Sequence, residues 1–284
     1  MRKLLLHLDT SPHPSAFDRI VALDAGADEV LSYGAVAEDA VRDLVHGAIF
    51  TRGPKDLHNT AIFIGGSDMA AGERLLAAAR KAFFGPMRVS VMLDSNGSNT
   101  TAVAAVTKLQ AAGELRGRRA VVAASTGPVG MRAAGLLARA GADVVVTSRR
   151  QEGAAAAAAA IRQRFGQDVR PMAMADPSSA ASVLEGAELL LSAGGTGVCL
   201  VPRDAWTGRA GLRAVADVNA VPPLGIEGVE ATDNGVDRGG AAAFGALGVG
   251  GLKMKIHKAC LARLFERNDL VLDAETIADV AKDV

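Results

Sequence analysis

Arg119-Ala120-Val121-Val122-Ala123-Ala124, then Ser125-Thr126-Gly127-Pro128-Val129-Gly130, a helical stretch over 131–140, Asp143-Val144-Val145-Val146-Thr147 and Ser148-Arg149-Arg150 form one strand–loop–helix–strand series. Two short Val-rich runs around a small-residue loop and an Ala/Leu-rich helix are the pattern of a parallel βαβ crossover. In the Gly-x-Gly-x-x-Gly spacing, the second and third glycines are Gly127 and Gly130, and Ser125 takes the first position. A glycine at the second position lets backbone approach a pyrophosphate, and one at the third lets helix and strand pack closely. The unpaired amides and the dipole at the helix start favour an anion. A degenerate glycine motif also fits a tight turn with no ligand. The residues at the end of the second strand weigh against that, because a carboxylate selecting a free ribose hydroxyl is absent and Ser148-Arg149-Arg150 stand there instead. Guanidinium groups clamp a phosphate in charge-assisted forks, so the loop is read as binding NADP in preference to NAD. The plainer alternative for Arg149 and Arg150 is a solvated helix start.

Outward from this unit, further β-like runs lie at 3–8, 29–33, 48–51, 60–65, 88–93, 169–174, 188–192 and 214–217, most followed by Gly, Ser, Asp or Asn and then a helical pattern. That alternation predicts an α/β protein of two α/β domains with parallel sheets and right-handed crossovers, the second domain of Rossmann type. The helix over 100–113 follows Asp94-Ser95-Asn96-Gly97-Ser98-Asn99 and leads into the phosphate-loop strand, so the expected nucleotide domain is 112–248. Leu252, Ile256, Ala259, Cys260 and Leu264 share one side of a helix over 250–265, which should return to the first unit. The other domain is then 1–111 plus 249–284, with a cleft between the two. The Ala run at 154–160 reads as an ordinary helix. Two more strands open into small-residue loops, Ser192-Ala193-Gly194-Gly195-Thr196-Gly197 and Ala216-Asp217-Val218-Asn219-Ala220. Ala193 and Gly194 leave room for the ribose and nicotinamide, and Asp217 with Asn219 is expected to hydrogen-bond one of them. Pro222-Pro223 reads as a stiff turn.

Thirty-one Lys and Arg balance thirty-one Asp and Glu, so no global field draws the chain to nucleic acid or an acidic membrane, and any anion site is local. Cys199 and Cys260 are too few for a disulfide framework, and no Cys/His spacing suits a metal. The first strand is broken by His7 and closed by Asp9 before reaching signal-peptide length, and no apolar run approaches the roughly 20 residues of a membrane span. The expectation is a cytoplasmic protein.

Four stretches then carry a resemblance: Asp94-Ser95-Asn96-Gly97-Ser98-Asn99-Thr100-Thr101, Ser125-Thr126-Gly127-Pro128-Val129-Gly130-Met131-Arg132, Ala216-Asp217-Val218-Asn219-Ala220 and Phe244-Gly245-Ala246-Leu247-Gly248-Val249-Gly250-Gly251-Leu252-Lys253. Together with the stretch 63–73 they resemble the NADP-dependent methylene-tetrahydromethanopterin dehydrogenases of methylotrophic bacteria, of the type that also accepts methylene-tetrahydrofolate. The resemblance implies a cytoplasmic homo-oligomer, a trimer or hexamer. It further implies a pterin bound in the cleft against the first domain and a nicotinamide presented by the second. Carried over by position, Phe17, Asp94 and Lys253 are the catalytic candidates, and the loop containing Asn96, Asn99 and Thr100 lines the pocket. Each keeps a plainer alternative: Phe17 as a core aromatic, Asp94 as a helix cap, Lys253 as a surface lysine beside Lys255 and Lys258. His257, one turn beyond Lys253, either faces the cleft or is packed or surface-exposed.

The expected chemistry needs little from side chains. Loss of a hydride from a carbon between two nitrogens leaves a cation that those nitrogens delocalise, so orientation against the nicotinamide is the main requirement. An ammonium at Lys253 would oppose such a cation unless neutral or turned away, which suits it to a hydrogen bond that positions the substrate. Related folate enzymes that also hydrolyse the methenyl product use a tyrosine four residues before a lysine. The only tyrosine here, Tyr33, is followed at that spacing by Ala37, so no cyclohydrolase activity is expected. Two other readings remain open: an NADP enzyme like shikimate dehydrogenase or glutamyl reductase, and a non-catalytic NADP sensor.

Overall fold

A computed structural model describes residues 1–284. The chain runs β1 (Leu4–Asp9), α1 (Ala16–Asp24), β2 (Glu29–Tyr33), α2 (Val41–Ile49), β3 (Thr60–Gly65), α3 (Met69–Ala82), β4 (Ser90–Leu93) and α4 (Ser98–Gln110). It continues through β5 (Arg119–Ala123), α5 (Pro128–Arg139), β6 (Asp143–Ser148), α6 (Gln151–Phe165), β7 (Arg170–Ala173), α7 (Ala180–Val183), β8 (Leu189–Ser192), α8 (Arg203–Trp206) and β9 (Ala214–Asp217). The last elements are β10 (Asn234–Arg238), β11 (Ala241–Phe244), α9 (Ala246–Arg263), β12 (Val271–Leu272) and α10 (Ala274–Val280). Two compact units result, Met1–Thr100 with Met254–Val284, and Thr101–Lys253. Both division points fall inside helices, α4 and α9, and not at the helix ends near 111 and 249 that the sequence suggested.

The first unit holds a five-stranded sheet in the order β12-β4-β3-β1-β2, parallel throughout. Register aligns Leu6 with Ile62 and Leu8 with Ile64, and these in turn with Val91 and Leu93. Those rows face α2 and α3, where Val41, Val45, Ile49, Leu75 and Leu76 complete one core. The opposite face carries the row His7, Phe63, Met92. The strand expected at 48–51 does not exist. Val41, Val45, Ala48 and Ile49 are buried at helical spacing in α2, so the apolar run at 48–50 is the end of a helix whose period begins seven residues earlier.

The second unit holds a seven-stranded sheet, β10-β11-β9-β8-β5-β6-β7, in which only β10 and β11 pair antiparallel. Val121, Val145, Leu190 and Val215 occupy one row of its core. Strand order reverses between β5 and β8, and in open α/β sheets ligands bind at the carboxyl edge of that switch point. The loop after β5 is the phosphate-loop candidate. The β10–β11 hairpin, absent from the expected strands, turns on Gly239 (φ 61°) and Gly240 (φ 91°), both in the left-handed region a two-residue hairpin turn requires. No helix is long and apolar enough to cross a membrane.

Candidate functional site

In the second unit the chain leaves β5 through Ala124 at φ 55°, so the sharp bend falls one residue before the position where the fingerprint would place its first glycine. Ser125 is fully buried. Its amide donates to the Thr147 carbonyl at 3.0 Å and its hydroxyl to the same oxygen at 3.1 Å, while the Ala124 amide donates to Thr147 Oγ1 at 3.1 Å. Ser125 therefore ties the loop to β6, and its hydroxyl is spent on that task. Gly130 sits directly on this anchor, since a Cβ there would lie 2.7 Å from Ser125 Cα. Gly127 is the opposite case: a Cβ there would meet nothing within 4 Å. Thus one glycine packs helix against loop, and the other faces open space at the start of α5. Pro128 opens the helix with no side-chain cap, leaving the first-turn amides without an intrahelical acceptor. Thr126 is exposed, and Pro128 and Val129 are half-buried. Residues 126–130 fit a diphosphate by backbone shape, as the fingerprint implies.

At the end of β6, Ser148 packs its Oγ 2.6 Å from where a Gly153 Cβ would stand, and Arg149 and Arg150 are exposed with Arg150 as the uncapped N-cap of α6. Ala193 and Gly194 follow β8, with the Ala193 amide on the Ala123 carbonyl at 3.1 Å and Leu200 filling the space against Gly194. Asp217 departs from expectation. Its carboxylate is fully buried, accepting from the amides of Asn219 at 3.0 Å and Ile226 at 2.8 Å. Burial pushes its carboxyl above the usual range, with backbone donors at Asn219, Ile226 and Gly225 opposing the shift. Asn219 in turn accepts from the Val221 amide at 3.1 Å and donates toward Gly195 and Pro223 carbonyls at 3.4 and 3.5 Å. Both residues lock the loop 217–226, which includes the cis Pro222-Pro223 bond, and do not offer their side chains outward.

In the first unit the carboxyl ends of β1, β3 and β4 bring together polar groups distant in sequence. Asp94, after β4, accepts at Oδ1 from the amides of Asn99 and Thr100 at 2.9 and 3.0 Å and at Oδ2 from Thr100 Oγ1 at 2.6 Å. His257 Nδ1 lies 3.3 Å from the same Oδ2, with both side chains fully buried. Asp94 thereby ties its carboxylate to the first turn of α4, the contact that its reading as a helix cap expects. Asn99 Nδ2 donates to the Leu93 carbonyl at 2.5 Å, and Thr100 serves Asp94, so both candidate pocket residues are turned inward. Asn96, at φ 54°, is the exposed member of that loop. His257 is packed, one turn beyond the half-buried Lys253 on α9. Phe17 is not a core aromatic: it is 50% exposed, edge-on to His257 with centroids 6.5 Å apart.

A second histidine–carboxylate pair lies outside the residues that the sequence singled out. His7 Nε2 lies 3.3 Å from Asp9 Oδ2, both groups buried, and Gly65 makes room for the imidazole, since a Cβ there would come within 2.7 Å of Nε2. Asp9 also accepts from the amides of Ser11 at 2.7 Å and Ser15 at 3.0 Å, fixing the turn into α1. The Phe63 ring separates the pairs, 5.4 Å from His7 and 5.6 Å from His257. Burial lowers the His7 pKa, with Asp18 and Asp9 opposing. Burial also raises the carboxyl of half-buried Asp18 against the pull of His257 and His7. The one signal available was a histidine inside the apolar β1, where a buried polar group calls for a partner.

Comparison with known proteins places these features in context. A family model described as methylene-tetrahydromethanopterin dehydrogenase, N-terminal, matches residues 16–96. The chain is 51% identical over 285 residues to the bifunctional protein MdtA of Methylorubrum extorquens, covering 100% of this chain and 99% of that protein. It is 32% identical over 284 residues, with 96% of each covered, to the NAD(P)-dependent methylenetetrahydromethanopterin dehydrogenase of the same organism. Among solved structures, shikimate 5-dehydrogenase from Listeria monocytogenes in complex with shikimate and NAD superposes with a TM-score of 0.55 at 15% identity, covering 98% of this chain and 96% of that one. At that identity the likeness speaks for the fold alone.

Proposed function

This chain belongs to the methylene-tetrahydromethanopterin dehydrogenase family, and we propose that it oxidises methylene-tetrahydromethanopterin to the methenyl form with NADP as hydride acceptor, in one-carbon metabolism. The observation that carries the cofactor part is the pairing of an open Gly127 with a tightly packed Gly130 at an uncapped helix start. The backbone of 126–130 would hold the diphosphate, and Arg149 and Arg150 would hold the additional phosphate of NADP. When bound, the nicotinamide accepts a hydride from the methylene carbon. Ser125, Asp217 and Asn219 act behind this surface by fixing loops, while Ala193 and Gly194 keep it small.

For the pterin, the half-exposed Phe17 is the ring that walls the substrate, with Asn96 and Lys253 as polar contacts. Asp94, Asn99, Thr100 and His257 hold the loop and α9 in place from the buried side. Such a division suits a reaction in which the protein moves no proton and gains its rate from orientation, an effect that reaches several kcal/mol. Lys253 acts on the substrate at a distance from the developing cation, because a like charge beside it would raise the barrier.

We further propose that methylene-tetrahydrofolate is accepted, that the methenyl product is not hydrolysed, and that the protein works as a cytoplasmic homo-oligomer of trimeric or hexameric order. Tyr33 lies on the edge strand β2 and lacks a lysine four residues on, which supports the absence of a cyclohydrolase. Steady-state assays with both methylene-pterins and both nicotinamide cofactors test the proposal. Turnover with NADP and a methylene-pterin is expected. Tight NADP binding without turnover of either pterin would refute the enzyme reading, and methenyl hydrolysis above the buffer rate would refute the single activity.

A further inference from the structure

The amino ends of β3, β4 and β12 lie side by side in the first sheet, on the edge opposite the carboxyl ends that carry Asp9 and Asp94. Across the six residues of β3, at about 3.3 Å each, the two edges stand roughly 20 Å apart. On this far edge is a hollow of about 440 Å³, lined by Lys55 ahead of β3, by Gly85, Pro86 and Arg88 ahead of β4, and by Asn268 and Asp269 ahead of β12. Its walls are already tied together. Phe84 and Met87 exchange amide-to-carbonyl hydrogen bonds at 3.0 and 2.8 Å around Gly85 and Pro86. Asn268 Nδ2 donates to the Pro86 and Arg88 carbonyls at 3.4 and 3.2 Å. The Ser90 hydroxyl donates to the Arg267 carbonyl at 2.7 Å and accepts from the Leu270 amide at 3.2 Å.

These bonds use up the acceptors of the hollow and leave its donors. The carbonyls of Pro86 and Arg88 serve Asn268, and the Asp269 carboxylate is held in a fork by Arg267 Nε at 2.6 Å and Nη2 at 2.8 Å, which keeps its carboxyl below the usual range. Arg88 is half-buried, its guanidinium 5.6 Å from the centroid of the Phe83 ring, and its Nε is shielded from solvent with no hydrogen-bond partner. Exposed Lys55 is the second cation of the lining, and the fold gives neither cation a carboxylate partner. A charged donor withheld from water without an acceptor is costly, and an anion from outside removes that cost.

We propose that this hollow binds a phosphate monoester, as an accessory site separate from the hydride-transfer centre. Arg88 takes two phosphate oxygens in a fork, Lys55 supplies the second positive charge that a dianion calls for, and Gly85 and Pro86 wall the organic part. A carboxylate would leave one of the two cations unanswered. The volume lies in the range of small-molecule sites, and so leaves room for more than the phosphate group. The assignment is independent of the pterin-dehydrogenase reading.

The test titrates the full-length protein, Arg88→Gln and Lys55→Ala with glycerol phosphate at fixed ionic strength, following Tm to obtain an apparent Kd. Acetate is the control anion. General salt effects, and any occupation of the loop 126–130, are common to all three proteins and cancel in the comparison. The wild-type Tm should rise saturably with glycerol phosphate. Arg88→Gln should weaken the apparent Kd about 10- to 100-fold, the worth of charge-assisted hydrogen bonds, and Lys55→Ala should weaken it less. Absence of a saturable response in the wild type overturns the proposal, as does an equal or tighter response to acetate. An unchanged Kd in Arg88→Gln also overturns it, and where that variant does not fold, an unchanged Kd in Lys55→Ala does the same.

Discussion

Replacing Gly127 and Gly130 one at a time by Ala should separate stability from cofactor binding. In Gly130→Ala the new Cβ starts 2.7 Å from Ser125 Cα, and ordinary contact begins at 3.4 Å, so backbone must move. That backbone is pinned by two hydrogen bonds to Thr147, and overpacking of this kind costs about 1–3 kcal/mol. At about 2–4 °C per kcal/mol, the Tm of the cofactor-free protein should fall by roughly 2–12 °C. Gly127 has φ −81° and ψ 165°, which Ala adopts freely, and its Cβ meets nothing within 4 Å. Its cofactor-free Tm should hold or rise slightly, because loss of glycine freedom in the unfolded chain is worth about 0.4–1 kcal/mol. The methyl would nonetheless stand where a diphosphate approaches the helix start, and the loss of one charge-assisted contact weakens NADP about 10- to 100-fold. Calorimetric unfolding of the cofactor-free proteins and isothermal titration with NADP measure both quantities. Wild-type NADP affinity in Gly127→Ala would refute the assigned role of the loop.

Arg149→Ser should raise the KM for NADP about 10-fold or more while leaving NAD nearly unaffected, and equal losses for the two cofactors would remove the phosphate-clamp role. Asp217→Ala leaves the buried amides of Asn219 and Ile226 without their acceptor. It should cost about 2–4 kcal/mol in denaturant unfolding, and a smaller effect than about 1 kcal/mol would mean the loop is held by other contacts. His7 has a folded pKa below its ordinary 6.5, so the unfolded chain binds its proton first as pH falls. The stability contributed by the neutral, buried imidazole is complete above 6.5 and is lost as pH drops from there through the lowered folded value. His7→Gln should therefore show a shallower decline in unfolding free energy than wild type across that window, and parallel declines in urea titrations would contradict it.

The strand–loop–helix–strand unit at 119–148 was legible because its chemistry is local: β-branched runs, two glycines at fixed spacing, and two arginines at a strand end. The alternation of strands and helices decided the α/β class for the same reason, since hydrophobic period reports which faces are buried. Short local signals misled. The apolar run 48–50 is too brief to separate a strand from the end of a helix, and the Gly239-Gly240 turn, a recognisable hairpin signal, follows the polar, largely exposed strand Asn234–Arg238, which shows no apolar alternation.

What the sequence could not determine was which polar groups face outward. Asp217, Asn219, Asp94, Asn99 and Thr100 are the right residue types for ligand contact, yet their partners are backbone amides, carbonyls and side chains that only the fold brings within 3.5 Å. The pairing of Asp94 with His257 spans 163 positions of chain, and no periodicity encodes it. Ser15 shows the same dependence: its hydroxyl caps α1 through the Asp18 amide, while its own amide finds its acceptor in Asp9, delivered by the end of β1. Backbone conformation and burial period are properties of neighbouring residues and can be read in one dimension. The direction of a buried side chain depends on what the sheet places beside it, and that is settled in three.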